Sequence, residues 1–183
     1  KGCFAGGIVG IASEGVLEGC SYEGVAVGDR VGGLVGQAIA NFVEINNSVN
    51  YATVIGDEHA GGILGYGGYS FNNCINYGNI FAVYGETSCG GITGSSGSVS
   101  THYFSNCINY GVIHGKQQSG GISGNISGMR IIDCENHGDI YGSTCVGGVV
   151  GDLDDFWGQR PEITDCINTG NVSGAEYIGG IVG

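Results

Sequence analysis

The sequence predicts an all-β chain wound as a Gly-rich β-solenoid (β-helix), with parallel in-register strands, about seven coils and roughly 29 residues per coil. Three observations predict it. Glycine occurs 40 times and proline once, yet 42% of the residues are hydrophobic. A Gly-Gly-[aliphatic]-x-Gly unit recurs at Gly6, Gly32, Gly61, Gly90, Gly120, Gly147 and Gly179, at intervals of 26, 29, 29, 30, 27 and 32 residues. A second unit, Cys-x-Asn-x-Gly, keeps phase with it at Cys74, Cys107, Cys134 and Cys166, with degenerate copies at Cys20 and Ser48.

The glycine content has no G-X-Y period, which excludes collagen, and the Ile, Val, Tyr and Phe throughout the chain exclude a flexible linker. Helix is excluded as well, because each interior glycine costs about 1 kcal/mol relative to alanine. Propeller blades are longer than this unit, at about 40–50 residues.

The strands follow from the repeat columns. Three residues before the Cys position stand Leu17, Ile45, Phe71, Phe104, Ile131 and Ile163; six after it stand Ala26, Val54, Ile80, Ile113, Ile140 and Val172. The third place of the Gly-Gly unit holds Ile8, Leu34, Ile63, Ile92, Ile122, Val149 and Ile181. Apolar sites flanked by variable neighbours have the two-residue period of a strand. Three such strands per coil cannot bury their faces alone, so each must pair with its copy in the next coil and stack its column into one continuous core. At about 4.8 Å per coil, seven turns make a rod roughly 30 Å long.

Five of the eight cysteines (Cys20, Cys74, Cys107, Cys134 and Cys166) share one column, with Ser48 in the missing place. A free thiol behaves as a small hydrophobe, so this column reads as a buried structural ladder. Neighbouring coils also place Cα atoms about 4.8 Å apart, so Cys74–Cys107 or Cys134–Cys166 disulfides stay open. No CxxC pair supports zinc. Two residues beyond lie Asn50, Asn76, Asn109, Asn136 and Asn168, whose amides can bond from coil to coil. The glycine that follows, at Gly78, Gly111, Gly138 and Gly170, suits a corner.

Cys166-Ile167-Asn168-Thr169-Gly170-Asn171-Val172-Ser173-Gly174, leading to Ile178-Gly179-Gly180-Ile181-Val182-Gly183, resembles the GLUG repeat of bacterial secreted and cell-surface proteins, and Cys107–Gly115 with Gly120–Gly124 is similar. The resemblance covers essentially the whole chain. It implies an extracellular, secreted or wall-attached module of the kind found in adhesins and in the non-catalytic regions of immunoglobulin A peptidases. It carries no catalytic residue and no cofactor. Residues 1–183 read as a single repeat domain, a fragment of a longer protein.

The charge narrows the partners. The net charge is −12, and the five basic residues are scattered, so neither nucleic acid nor an anionic membrane is an expected partner. Nor is there an apolar run long enough for membrane insertion as a helix. Host glycans, host or bacterial surface proteins, and end-to-end self-association through open strand edges are the partners expected.

Outward-facing columns carry the candidate sites. Tyr51, Tyr77, Tyr110 and His137 form an aromatic strip that could contact a glycan or a protein, although cross-strand stabilisation is the simpler reading. The stretch from Gly151 to Cys166 reads as an inserted loop. Its Asp152, Asp154 and Asp155 offer oxygen ligands for calcium, but without the distal bidentate glutamate a solvated acidic turn is the simpler reading. Trp157 in that loop is a binding residue or a lid over the coil edge. A second loop is expected at Ser95–Ser105.

An enzyme on this scaffold would need converging acid and base groups. The acidic residues share no repeated column, and His59, His102, His114 and His137 occupy different coils and column positions. The expected function is therefore a non-catalytic structural or adhesive module, with glycan binding by the tyrosine strip as the alternative.

Overall fold

In a computed structural model, described for residues 2–84, 87–97, 102–154, 158 and 160–183 (backbone alone for 40–42), the described residues contain strands, turns and bends and no helix. Every strand pairing is parallel, and the strands form three sheets. The first sheet has six strands of two residues each, from Ser21–Tyr22 through Val49–Asn50, Ile75–Asn76, Ile108–Asn109 and Glu135–Asn136 to Ile167–Asn168. Each pairs in register with its copy in the next coil: Ile75 lies beside Val49 and Ile108, and Asn76 beside Asn50 and Asn109.

The other two sheets are entered once per turn in the early coils and twice in the later ones. Val25–Gly32 and Thr53–Gly61 run unbroken through the second sheet. The next coil divides the same path into Ile80–Ala82 and Ser88–Gly90. In the third sheet Val9–Glu18 and Val35–Asn46 are continuous, whereas the following coil breaks into Leu64–Tyr66 and Ser70–Asn72. The supposed loops shrink accordingly. Ser95–Gly97 belongs to the strand Thr93–Gly97, and Tyr103–Ser105 is a strand too. Asp152 and Asp154 lie on the strand Val150–Asp154 rather than in an acidic turn.

Two expectations are refined. The first is the coil number. Seven Gly-Gly units delimit six full turns, and the first sheet has six strands, so the rod has about six turns, close to the seven coils expected.

The second is the single interior, which the structure divides into two columns. The larger contains Leu34, Ile63, Ile92 and Ile122 with Ile45, Phe71, Phe104 and Ile131 and the thiols of Cys74, Cys107 and Cys134. The smaller contains Val54, Ile80, Ile113 and Ile140 with Val31, Ala60, Cys89 and Val146. The cause lies at the waist of each coil. The second glycine of the Gly-Gly unit there faces the asparagine of the ladder so closely that a Cβ on Gly62, Gly91 or Gly121 would collide with the amide of Asn76, Asn109 or Asn136. No aliphatic side chain fits between them. The aliphatic columns stack in register on either side of this pinch, as at Ile45–Phe71–Phe104–Ile131 and Val54–Ile80–Ile113–Ile140. Each large side chain so buried contributes about 1.5–3 kcal/mol.

The corner before the first sheet has its own cause. The residue preceding each Cys or Ser of the ladder adopts the left-handed conformation: Gly19 (φ 62°), Asn47 (50°), Asn73 (54°), Asn106 (52°), Asp133 (51°) and Asp165 (51°). Glycine, asparagine and aspartate tolerate this region best. The glycines after the asparagine stand, as expected, at the bend between the first and second sheets, and a Cβ on Gly78, Gly111 or Gly138 would strike the carbonyl of the coil before. They permit close coil-to-coil contact at that corner, while the Asn/Asp column makes the corner before the first sheet.

Candidate functional site

The aromatic strip is a stack of rings. Tyr51, Tyr77, Tyr110 and His137 follow one another up the outside of the first sheet, with centroids 5.3, 5.1 and 5.0 Å apart and interplanar angles of 3°, 7° and 15°. The in-register strands impose this geometry, since side chains one coil apart cannot avoid each other. The tyrosines are 53%, 47% and 44% exposed. Their faces cover one another, so edges and hydroxyls are what the strip offers to solvent. At its end the His137 ring bonds Glu135 Oε2 at 2.9 Å and Thr169 Oγ1 at 2.7 Å. A second stack, which the repeat columns did not single out, links Phe81, His114 and Tyr141 at 5.0 and 5.2 Å on the neighbouring sheet.

Beneath the tyrosine strip, the asparagines form a continuous ladder. Asn76 Nδ2 donates to Asn109 Oδ1 at 2.7 Å and to the Gly78 carbonyl at 2.8 Å, while its Oδ1 accepts from Asn50 Nδ2 and from the Gly78 amide. Asn109 and Asn136 repeat the pattern, and Asn168 receives the last rung at 2.8 Å. Asn50, Asn76, Asn109 and Asn136 are fully buried, so each polar atom needs this partner.

The cysteine column holds the corners. The ladder thiols donate to the carbonyl two residues back: Cys107 to Ser105 at 3.4 Å, Cys134 to Ile132 at 3.3 Å and Cys166 to Thr164 at 3.3 Å, with Cys20 and Cys74 at 3.6 Å. Ser48 makes the same bond to Asn46 at 2.7 Å, which explains how a hydroxyl replaces a thiol there. All eight cysteines are free thiols. Burial pushes Cys107 well above its ordinary value, with Cys134 and Cys74 adding to the shift, and burial takes Cys89 up to about 12. Such thiols are poor nucleophiles at neutral pH.

A third feature is visible only in the fold. The Gly-Gly-x-x-Gly turn brings the residue two before it beside the residue five after its start, pairing Arg30 with Gln37 and His59 with Tyr66. Arg30 Nη1 donates to Gln37 Oε1 at 3.4 Å, and the His59 and Tyr66 rings stack at 4.7 Å. Arg30 also pairs with Glu58 at 3.0 Å and lies 4.6 Å from the Tyr66 ring centre. Further along the rod, Ser88 donates to Gln118 at 2.6 Å, and Gln118 Nε2 donates to Asp152 at 2.7 Å. Columns that serve the fold keep one residue type, whereas this stripe changes chemistry in every coil. That variability, flanked by invariant glycines, is the signal that would have found it.

The calcium candidates are engaged otherwise. Asp152 accepts from Gln118 and Asp154 from the Asn125 amide at 2.8 Å, while Asp155 and Trp157 lie outside the described residues. Among the described residues no group of three or more His, Cys, Asp or Glu side chains could hold a metal ion. Compared with protein-family models, with curated proteins and with solved structures, the chain finds no match.

Proposed function

We propose that this chain is a rod-forming, non-catalytic module of an extracellular bacterial surface protein, a GLUG-type repeat array that serves as spacer and adhesive surface. One observation carries the reading. The repeated columns serve to hold one coil on the next: asparagine to asparagine, the Cys74 thiol to the Ile45 carbonyl of the coil before, glycine against carbonyl, aliphatic over aliphatic. A sequence that repeats only its stacking groups encodes length and stiffness. The chemistry of a catalyst requires groups that converge on a substrate, and the His137–Glu135 pair of the strip is closed by Thr169 on the other ring nitrogen.

The half-exposed Tyr51, Tyr77 and Tyr110 favour a second reading, glycan binding along the strip. Sugar rings stack on aromatic faces, and these faces already cover one another at 5.1 to 5.3 Å. A mucin pull-down and a glycan array with the wild type and the Tyr51/Tyr77/Tyr110 triple alanine variant separate the two. The spacer reading expects the variant to behave as the wild type, with no retention that depends on the strip. Strong binding lost in the variant would make the strip a lectin-like site and overturn the spacer reading.

A further inference from the structure

The third sheet is interrupted where its last continuous strand meets the next coil. The strand Val35–Asn46 pairs with the next coil at Val35–Leu64 and Gln37–Tyr66, and pairing resumes only at Glu44–Ser70. Three residues, Gly67 to Tyr69, stand where the neighbouring coil has six, so the coils separate. Gly67 makes the departure with φ 137°, a conformation closed to most side chains. A cavity of about 250 Å³ occupies the gap, lined by Gln37, Ile39, Tyr66, Gly67, Gly68 and Gly97 among others. We propose that this notch binds a single neutral pyranose ring of a glycan.

Size, chemistry and charge each point there. Pockets for drug-sized ligands run about 300–1,000 Å³, so this one suits a single ring. Tyr66 differs from the strip tyrosines: its column neighbours are Gln37 and Ser95, neither of them a ring, while the stacked His59 ring and the Arg30 guanidinium over it fix its position. Its ring is thereby held rigid at the wall of the notch, 36% exposed. Ile39 adds apolar surface, 60% exposed. Gln37, in the lining, accepts from Arg30 through Oε1, so its amide N–H groups are free to donate to a ligand hydroxyl. A sugar ring presents this combination of an apolar face and a rim of hydroxyls. With Arg30 already paired to Glu58 and a net charge of −12, the notch disfavours uronic acids and phosphates. This site is separate from the tyrosine strip and independent of whether the rod acts as a spacer.

The test is an amide nitrogen–proton NMR titration of the whole chain with glucose, galactose, mannose and N-acetylglucosamine. Each is added to about 50 mM, well above a millimolar dissociation constant. At least one should shift the amides of residues 37–39 and 66–69 saturably. Tyr66→Ala should weaken that sugar at least about tenfold, and Tyr77→Ala should leave it unchanged. Gln37→Ala, which removes only the amide, serves as the readout if Tyr66→Ala disturbs the spectrum. The proposal is overturned if no sugar saturates, if the shifts centre on Tyr51, Tyr77 and Tyr110, or if they survive both notch variants.

Discussion

His59 is held neutral. Burial, with the Arg30 guanidinium beside it, takes its pKa from 6.5 down to about 4, against a smaller opposing pull from Glu58. A folded pKa below the unfolded one means that the unfolded chain binds the extra proton between those values. The contribution to stability is therefore complete above about pH 6.5 and is lost as pH falls towards 4. At about 1.4 kcal/mol per pKa unit, the loss reaches roughly 3 kcal/mol. Urea denaturation at pH 7.5 and pH 4.5 should show it, and His59→Gln should flatten that difference. None of this was legible beforehand, because a histidine among polar residues looks exposed until the turn folds Tyr66 against it. The left-handed corner is the opposite case. The column Gly19, Asn47, Asn73, Asn106, Asp133 and Asp165 is written in the sequence by residue type, but the more regular asparagine column beside it drew the attention.

The asparagine ladder belongs to the scale of elements, since no single asparagine is satisfied without its neighbours. Asn109 sits mid-ladder, bonded to Asn76, Asn136 and both polar groups of Gly111. Asn109→Ala would strand a donor on Asn76 and an acceptor on Asn136, both in fully buried side chains. At about 1–3 kcal/mol for each buried group left unpaired, the variant should lose roughly 2–6 kcal/mol. Asn168→Ala, at the partly exposed end with one coil partner, should lose less; chemical denaturation of the two variants measures the gradient. The ladder and the aromatic strip were readable because repetition marks a column and a parallel register stacks it. The Phe81–His114–Tyr141 stack escaped notice because its column mixes residue types, and no periodic signal links a phenylalanine to a histidine.

For the whole molecule, the coil is the unit of addition and removal. Deleting residues 107–133 joins Asn106 to Cys134, so the left-handed residue still precedes a ladder thiol and Asn76 meets Asn136. The shortened rod should keep its β-type far-ultraviolet spectrum and unfold cooperatively at a lower urea midpoint, one coil interface being gone. Deleting 107–119 removes half a coil and destroys the register, and that chain should not fold. Circular dichroism and urea melts distinguish the two.

Solenoid architecture, parallel register, the identity of the stacked columns and the outward placement of the tyrosines were determined by the sequence alone. The reason is that a repeat leaves each strand only its own copy as a partner. The tertiary structure alone decided the division of the interior at the glycine–asparagine waist and the open notch beside Tyr66. These depend on distances between backbones in neighbouring segments, and a one-dimensional pattern carries the order of residues without the space between them.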